Sequence, residues 1–182
     1  DVIQGGAGND TLNGGNGTDT ANYSAAATAV TVNLATLIAQ NTGGAGTDTI
    51  SNFENLTGSA FNDTLTGNIG VNIIDGGAGN NLLTGGTGAD TFIFDAISGM
   101  ETIQDFNIGQ DDKLDIADIL SGFTPGVSDI DDFLVFNTVG PNTTISVDAN
   151  GAVGGISLTL IGTLNGVTGL IVQTLYDNDQ IV

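Results

Sequence analysis

Histidine, cysteine and tryptophan are absent from this chain of 182 residues, and Lys113 is its single basic side chain. A chain without cysteine forms no disulfide, so its stability outside a cell has to come from packing and bound metal. We expect no nucleic-acid binding, because phosphate contacts depend on clustered lysine and arginine. We also predict that the chain is not an enzyme, since the commonest catalytic groups are missing and carboxylate pairs such as Asp131 and Asp132 arise by chance in an aspartate-rich sequence.

Long apolar runs are missing as well. No segment approaches the roughly 18 apolar residues that a membrane-spanning helix requires, and no signal segment with charged and apolar parts is visible at the N-terminus. The first residues, Asp1-Val-Ile-Gln4, have the pattern that ends a repeat. We therefore expect this chain to be a fragment of a longer protein.

Acidic residues are abundant instead: 21 aspartates and glutamates give a formal net charge of -20. Two carboxylates about 5 Å apart repel each other by roughly 3 kcal/mol at an effective dielectric constant near 20. A compact fold with many such neighbours needs counter-ions. The alternative is a solvated acidic surface, and this alternative stays open for the aspartates of residues 105–132.

Glycine and aspartate recur together at multiples of nine residues. The pattern Gly-Gly-x-Gly-x-Asp occurs at residues 5–10, 14–19, 43–48 and 85–90, and softened versions in the same phase occur at residues 58–63, 67–72 and 76–81. Such a fixed period is the signature of a solenoid, in which each repeat stacks on its neighbours.

Each copy of the pattern combines a tight turn with a short strand. Glycines reach backbone conformations that other residues avoid, so the turn can direct its carbonyl oxygens inward. Carbonyl and carboxylate oxygens together are the ligands that Ca²⁺ selects. The residue at the centre of each following triplet is predicted to face the core. These residues are Ile3, Leu12, Ala21, Val30, Ile50, Leu65, Ile74, Leu83 and Phe92.

The repeat Gly-Gly-x-Gly-x-Asp-x-apolar-x resembles that of the repeats-in-toxin (RTX) family of calcium-binding proteins. The resemblance implies an all-β fold, namely a right-handed parallel β-roll or β-helix solenoid followed by a mainly β C-terminal capping domain with one or two short helices. We assign the roll to residues 1–94, with an irregular insertion at residues 23–42, and the second domain to residues 95–182. Glycine usage changes at the same boundary, since 18 of the 29 glycines precede it.

The resemblance also implies where several Ca²⁺ ions bind. In the family, turns eighteen residues apart stack on one side of the roll and hold an ion between them. One side would contain Asp1, Asp19, Asp48, Asp63 and Asn81. The other would contain Asp10, a degenerate turn at residues 23–28, the corner at Glu54 and Asn55, Asn72 and Asp90. The implied carbonyl ligands are those of Gly14, Asn16, Gly15, Gly17, Gly43, Ala45, Ser59, Phe61, Gly76, Ala78, Asn68, Gly70, Gly85 and Thr87.

The sequence departs from the family pattern in two places. Asn72 and Asn81 replace aspartates, so their sites lose a formal charge and are expected to bind more weakly or to be vacant. Residues 25–42 interrupt the repeat with a strand-like segment and a long loop. The stacking of Asp19 on Asp48 is therefore an inference across an insertion.

The second half has a different pattern. Residues 90–94, 101–106, 143–148 and 155–161 are predicted strands, residues 148–151 a turn, and residues 170–175 a final apolar stretch. Ser128 is predicted to be the N-cap of a short segment, with Asp131 at the third position. The order Asp-Thr-Phe-Ile-Phe, Thr-Ile-Gln-Asp-Phe, Asp-Lys-Leu-Asp-Ile and an apolar end resembles the C-terminal target domain of RTX proteins exported by type I secretion.

This resemblance implies a secreted or bacterial cell-surface protein whose C-terminal signal is recognised by an ABC transporter with a membrane-fusion protein and an outer-membrane channel. Among such proteins we favour a large surface adhesin, and we expect a monomer. One alternative is the calcium-binding chaperone and secretion tail of a secreted lipase or protease. A second is an ice-binding solenoid with an outward threonine ladder, although threonine is also simply favourable in strands.

Overall fold

The computed structural model describes residues 1–95, 99–120, 123–124, 128–148 and 157–181, and it is nearly all-β over these ranges. The strands are short, as a nine-residue repeat with a six-residue turn requires. In chain order they are β1 (Val2–Ile3), β2 (Thr11–Asn13), β3 (Thr20–Asn22), β4 (Thr31–Asn33), β5 (Gln40–Gly43), β6 (Gly46–Ser51), β7 (Asn55–Thr57), β8 (Thr64–Thr66), β9 (Ile73–Asp75), β10 (Asn80–Thr84), β11 (Thr91–Ile93), β12 (Met100–Ile103), β13 (Lys113–Asp115), β14 (Leu134–Val139), β15 (Asn142–Val147) and β16 (Thr159–Leu164).

Helical structure is confined to short pieces of the second half. Single 3₁₀ turns form at Ile108–Gln110, Ala117–Ile119 and Ile130–Asp132, and one α-helical segment, α1, spans Val172–Asp177 among the described residues. The side chain of Asp129, not Ser128, caps the turn Ile130–Asp132 by accepting a hydrogen bond from the Asp131 N–H. The predicted N-cap is therefore wrong by one residue, because the turn is 3₁₀ and begins later than the pattern suggests.

The first sheet contains six parallel strands in the order β1-β3-β7-β9-β11-β13. Their register places one apolar side chain of each strand beside the next, in the series Ile3, Ala21, Leu56, Ile74, Phe92 and Leu114. All but Ile3 are buried.

The opposite side of the repeat region is divided between two sheets. The second sheet has the order β14-β15-β16-β12-β10-β8-β4, and the third has the order β2-β6-β5. Their buried series are Val32, Leu65, Leu83, Ile103 and Leu164 in the second sheet, and Leu12 with Ile50 in the third. These side chains and those of the first sheet form one hydrophobic cluster, as expected for a β-roll. The predicted core positions are thus confirmed, apart from Ile3, which is half-buried.

The insertion forms structure of its own between the two sheets of the second side. Strand β4 pairs with β8, whereas β5 and β6 form an antiparallel pair, and Val30 bridges Gly43. Strand β6 then pairs with β2 in parallel. The insertion therefore decides which turns become neighbours on this side.

Parallel stacking continues beyond the predicted boundary at Phe94. Strand β12 pairs with β10 and β13 pairs with β11, so both sides of the repeat region gain a further strand. Next, β16 pairs in parallel with β12 and continues into the antiparallel strands β15 and β14. The Leu114 N–H donates to the Gln180 carbonyl (2.8 Å), and Leu114 bridges Ile181. The last strand on each side of the repeat region is thus paired with C-terminal residues.

Two predicted elements fall partly outside the described residues, namely the turn at 148–151 and the start of the strand at 155–161. The predicted strand at 143–148 corresponds to β15, and the apolar stretch at 170–175 leads into α1. Within the described ranges, we find no helix that combines the length and the apolar character needed to cross a bilayer.

Candidate metal centre

The glycine-rich turns lie directly against one another where the eighteen-residue spacing is unbroken. Gly86 and Gly88 have φ of 106° and 128°, a region that only glycine enters freely. A Cβ atom on these glycines would collide with the carbonyl oxygens of Asn68 and Gly70. The turn at 85–90 therefore stacks on the turn at 67–72, and the predicted neighbours Asn72 and Asp90 are brought together.

The same arrangement occurs on the other side. A Cβ on Gly79 would lie 2.6 Å from the Phe61 carbonyl oxygen, and one on Gly77 would collide with that of Ser59. The turn at 76–81 thus stacks on the turn at 58–63, as predicted for Asp63 and Asn81. In both pairs, carbonyl oxygens implied as ligands face glycines of the next turn, although the Asn68 carbonyl also accepts a hydrogen bond from the Thr87 N–H (3.3 Å).

The turn-closing residues form two columns. The first column precedes the strands of the first sheet and consists of Asp1, Asp19, Glu54, Asn72, Asp90 and Asp112. The second column lies on the opposite side and consists of Asp10, Asp48, Asp63, Asn81 and Glu101.

Within each column, side-chain oxygens accept backbone N–H groups from the preceding member. Asp90 Oδ1 accepts from the Asn72 N–H (2.9 Å), and Asp112 Oδ1 accepts from the Asp90 N–H (3.0 Å). Asn81 Oδ1 accepts from the Asp63 N–H (2.8 Å). Asp90 thus keeps its second carboxylate oxygen without a protein donor, whereas the second oxygen of Asp112 accepts from the Asn107 N–H (2.8 Å).

The predicted stacking of Asp19 on Asp48 is wrong, and so are the predicted sides beyond the insertion. Glu54, Asn72 and Asp90 lie in the column of Asp19, whereas Asp63 and Asn81 lie in the column of Asp10. Strand β3 pairs with β7, so the Asp19 N–H donates to Glu54 Oε2 (2.9 Å). Strand β6 pairs with β2, so the Asp10 N–H donates to Asp48 Oδ1 (3.0 Å). The reason is the insertion, whose β4 and β5 carry the chain to the opposite side before β6 begins. The predicted stacking of Asp1 on Asp19 agrees with the β1–β3 pairing.

This correction separates the predicted carbonyl ligands of that site. The turn that contains Gly14, Gly15, Asn16 and Gly17 belongs to the first column, whereas Gly43 and Ala45 belong to the second. The Ala45 carbonyl accepts a hydrogen bond from the Gly8 N–H (2.8 Å), and a Cβ on Gly14 would collide with the Asn52 carbonyl oxygen. The two turns therefore do not face each other.

Four buried carboxylate oxygens have no hydrogen-bond partner among the described residues. They are Asp10 Oδ2, Asp19 Oδ2, Asp90 Oδ2 and Glu101 Oε2. A buried charged oxygen without a partner is costly, and native proteins rarely leave one unsatisfied. Each of the four belongs to a column, and this is the chemistry that a bound Ca²⁺ would satisfy.

Two other buried carboxylates are saturated by protein donors. Asp48 Oδ2 accepts from the hydroxyl groups of Tyr23 (3.2 Å) and Thr42 (3.0 Å). Asp63 accepts from the Ser59 hydroxyl (2.8 Å) and from the Val30 N–H (2.7 Å). In the described part of the chain, no three acidic, histidine or cysteine side chains cluster as a metal site would require.

Sequence comparison supports the assignment of these turns as calcium-binding repeats. Residues 1–23 and 57–92 match the family description "RTX calcium-binding nonapeptide repeat", in four copies. The chain carries RTX repeats. Comparison with curated protein sequences gives no match. Among solved structures, the chain resembles the solution structure of the AlgE6R2 subunit of the Azotobacter vinelandii mannuronan C5-epimerase, with 23% identity and a TM-score of 0.46, over 100% of this chain and 90% of that one.

The RTX turns hold their carboxylates in an environment that disfavours charge. Burial raises the pKa of Asp90 to about 6, and the charges of Asp112 and Asp105 add to this effect, although the hydrogen bond from the Asn72 N–H opposes it. Burial likewise raises the pKa of Glu101 to about 8, with further contributions from Asp75, Asp95 and Asp63. A divalent cation would reverse both shifts, because it favours the ionised form.

Sequence reasoning missed two members of the columns that follow the RTX repeats. Glu101 is twenty residues after Asn81, and Asp112 is twenty-two residues after Asp90. Neither turn has the glycine pattern. A weaker signal was present, because each acid precedes a triplet with an apolar centre, Thr-Ile-Gln after Glu101 and Lys-Leu-Asp after Asp112.

Proposed function

We propose that this chain is a calcium-dependent folding module, in which Ca²⁺ ions bind between stacked RTX turns. The observation that carries this proposal is the set of unpartnered, buried carboxylate oxygens of Asp10, Asp19 and Asp90. Each lies at the closing position of a Gly-Gly-x-Gly-x-Asp turn, where facing carbonyl oxygens supply further hard ligands.

The site between Asn72 and Asp90 has the best support. The carbonyl oxygens of Asn68 and Gly70 face the next turn, the Gly85 carbonyl oxygen lies against Gly67, and Asp90 Oδ2 is unpartnered. Asn72 contributes no charge, and its side-chain N–H donates to the Glu54 carbonyl and to Asn68 Oδ1. Asp90 would therefore be the only anionic ligand, and we expect this ion to bind with modest affinity.

Calcium occupancy is large enough to decide whether the roll folds. An ion present at about ten times its dissociation constant stabilises the folded state by roughly 1.4 kcal/mol. About five ions would then supply ~7 kcal/mol, which is comparable to the whole stability of a typical domain. The high negative charge acts in the opposite direction and makes the calcium-free fold costly.

Circular dichroism tests the folding role. We expect a β spectrum in millimolar Ca²⁺ and its loss in excess chelator, with recovery when Ca²⁺ is restored. Mg²⁺ is the matched control, because it demands a smaller octahedral site and keeps its waters, so it is not expected to restore the spectrum. Equal β content with chelator and with Ca²⁺ would refute the proposal.

We further propose that the C-terminal residues contain a type I secretion signal and that the parent protein is a surface adhesin. Two observations support this: the order of motifs from residue 90 to the C-terminus, and the RTX repeats, which are typical of secreted proteins. The partners would be an ABC transporter, a membrane-fusion protein and an outer-membrane channel. An unfolded chain would be exported C-terminus first and would fold on external Ca²⁺.

Deletion of residues 170–182 tests the secretion role. We expect export through a type I apparatus to stop, while most calcium binding remains. Because Val172 and Leu175 are buried, the deletion also removes packing, and a destabilised variant with an intact C-terminus is needed beside it. Leu83→Ala serves this purpose, since Leu83 is buried in the roll and lies outside residues 170–182. Normal export of the truncated chain would defeat the assignment.

A further inference from the structure

Glu101 closes the second column one turn beyond the last RTX repeat. It is 6% exposed, and its strand β12 pairs with β10 so that Glu101 stands beside Asn81. The turn that precedes it lacks the glycine pattern. Glu101 is therefore a buried acid outside every motif that predicts calcium binding.

The two oxygens of Glu101 have different surroundings. Oε1 accepts a hydrogen bond from Asn81 Nδ2 (3.0 Å), whereas Oε2 is buried and unpartnered. Oε2 faces the start of the turn at residues 76–81, because a Cβ on Gly76 would lie 2.6 Å from it. The Gly77 carbonyl oxygen accepts from the same Asn81 amide (3.3 Å), so a second hard oxygen lies near the carboxylate.

The end of the first column provides a contrast. Asp112 is equally buried, but its Oδ1 accepts from the Asp90 N–H (3.0 Å) and its Oδ2 from the Asn107 N–H (2.8 Å). Backbone amides thus satisfy both oxygens of Asp112. Among the described residues no such donor reaches Glu101 Oε2, and the negative charges of Asp75, Asp95 and Asp63 act on this carboxyl group.

We propose that Glu101 Oε2 is a ligand of an additional Ca²⁺ ion, held between Glu101 and the turn at residues 76–81. The proposal rests on the calcium-binding role proposed above and extends it to a turn without the nonapeptide pattern. Asn81 carries no charge, so Glu101 supplies the carboxylate that the turn at residues 76–81 lacks. In this proposal the last carboxylate of the second column, Glu101, binds an ion, whereas the last carboxylate of the first column, Asp112, accepts backbone hydrogen bonds.

Glu101→Gln separates this account from the competing one, in which Glu101 is simply a buried neutral acid. Glutamine keeps an oxygen for the Asn81 amide and imitates the protonated acid, so a neutral role predicts no change in bound ions. Native mass spectrometry of the full chain in Ca²⁺ is expected to show one ion fewer per chain. Asp118→Asn removes the same charge from an exposed position and is expected to leave the number unchanged.

The outcomes are distinguishable. If the unmodified chain binds no Ca²⁺, the proposed function fails; if it binds Ca²⁺ and Glu101→Gln binds the same number of ions, only the present inference fails. If Glu101→Gln does not fold, a crystal of the unmodified chain with Ca²⁺ replaces it. Anomalous scattering within about 2.3–2.6 Å of Glu101 Oε2 is then the expected result, and its absence overturns the inference.

Discussion

Asp48 and Asp90 both close turns with the pattern Gly-Gly-x-Gly-x-Asp, and both are fully buried, yet their carboxylates have different neighbours. Asp90 lies in an unbroken stack and keeps one unpartnered oxygen. Asp48 lies beside the insertion, and the hydroxyl groups of Tyr23 and Thr42 occupy its second oxygen. The same hexapeptide pattern can therefore leave a carboxylate oxygen available for a cation or have it hydrogen-bonded within the protein. Which of the two occurs depends on the donor groups of the neighbouring segments.

Gly86→Ala is expected to cause the largest loss of stability among the variants that test this difference, because its methyl group fills the space between turns on the Asp90 side. The backbone at Gly86 has a φ of 106°, and its Cβ would collide with the Asn68 carbonyl oxygen. The left-handed backbone strain costs ~1–2 kcal/mol and the overpacking costs ~1–3 kcal/mol. Together they are expected to lower the free energy of unfolding by about 2–5 kcal/mol. Denaturant unfolding in saturating Ca²⁺ measures it.

Gly6→Ala is the matched control for that substitution. Gly6 also has a positive φ, 87°, but a Cβ there meets nothing within 4 Å. Only the strain of ~1–2 kcal/mol is expected. Equal losses for the two variants would show that the contact between turns contributes nothing.

Tyr23→Phe is expected to have the next largest effect, and it acts on the Asp48 side. The substitution removes a hydrogen bond to a buried carboxylate, which costs about 1.5–3 kcal/mol. The number of bound Ca²⁺ ions should not change. Tyr176→Phe is the control, because the Tyr176 ring packs against Phe123 and keeps that contact. A loss of calcium in Tyr23→Phe would mean that the Asp48 corner is a metal site after all.

The variants Asp90→Asn and Asp48→Asn test the comparison directly, and the expected change in the free energy of unfolding is smaller. At Asp90 the amide keeps the oxygen that accepts from Asn72 but removes the charge, so one Ca²⁺ should be lost, along with roughly 1.4 kcal/mol at ten times its dissociation constant. At Asp48 the stoichiometry should be unchanged. Isothermal titration with Ca²⁺ counts the ions, and identical losses in both variants would contradict the difference.

The last test of the buried carboxyl groups uses the pH dependence of stability in the absence of Ca²⁺. The pKa of Asp90 is raised to about 6 and that of Glu101 to about 8, so the folded state binds protons more readily than the unfolded state. The stabilisation of the folded state by these two protonated carboxyl groups is fully present below about pH 4. It is lost as the pH rises through their pKa values of about 6 and about 8. In chelator, β structure should therefore be greater at pH 5 than at pH 8.

With Ca²⁺ present the direction should reverse, because protons compete with the ion for the same carboxylates. Circular dichroism at the two pH values, with and without Ca²⁺, measures both trends. A pH profile that is the same in the two conditions would show that the buried acids and the ions do not share sites.

The sequence was sufficient to predict the regular part of the roll. Leu65 and Leu83 lie in register, as do Ile74 and Phe92, because an unbroken repeat of nine leaves one way to alternate sides. The stacking of Asn72 on Asp90 follows from the same eighteen-residue spacing. Both expectations combine the nine-residue period with the alternation between two sides that the resemblance to the RTX family implies.

The insertion and the second half could not be predicted in this way. The side on which Asp48 falls depends on how β4 and β5 pair, and no local pattern in residues 23–42 fixes that pairing. Glu101 and Asp112 were missed because the segments before them are longer and lack the Gly-Gly-x-Gly pattern, so the spacing that defines a column changes. Their burial depends on pairing with β10 and β11, which is tertiary information.

The pairing of the last strand on each side with C-terminal residues closes the repeat region at its C-terminal end. Strand β12 is covered by β16, and Leu114 by the segment at Gln180, so no further rung can be added after them. A duplication of eighteen residues upstream would instead insert a complete rung and leave this closure intact. The number of rungs can thus change without a change in the contacts that close the C-terminal end.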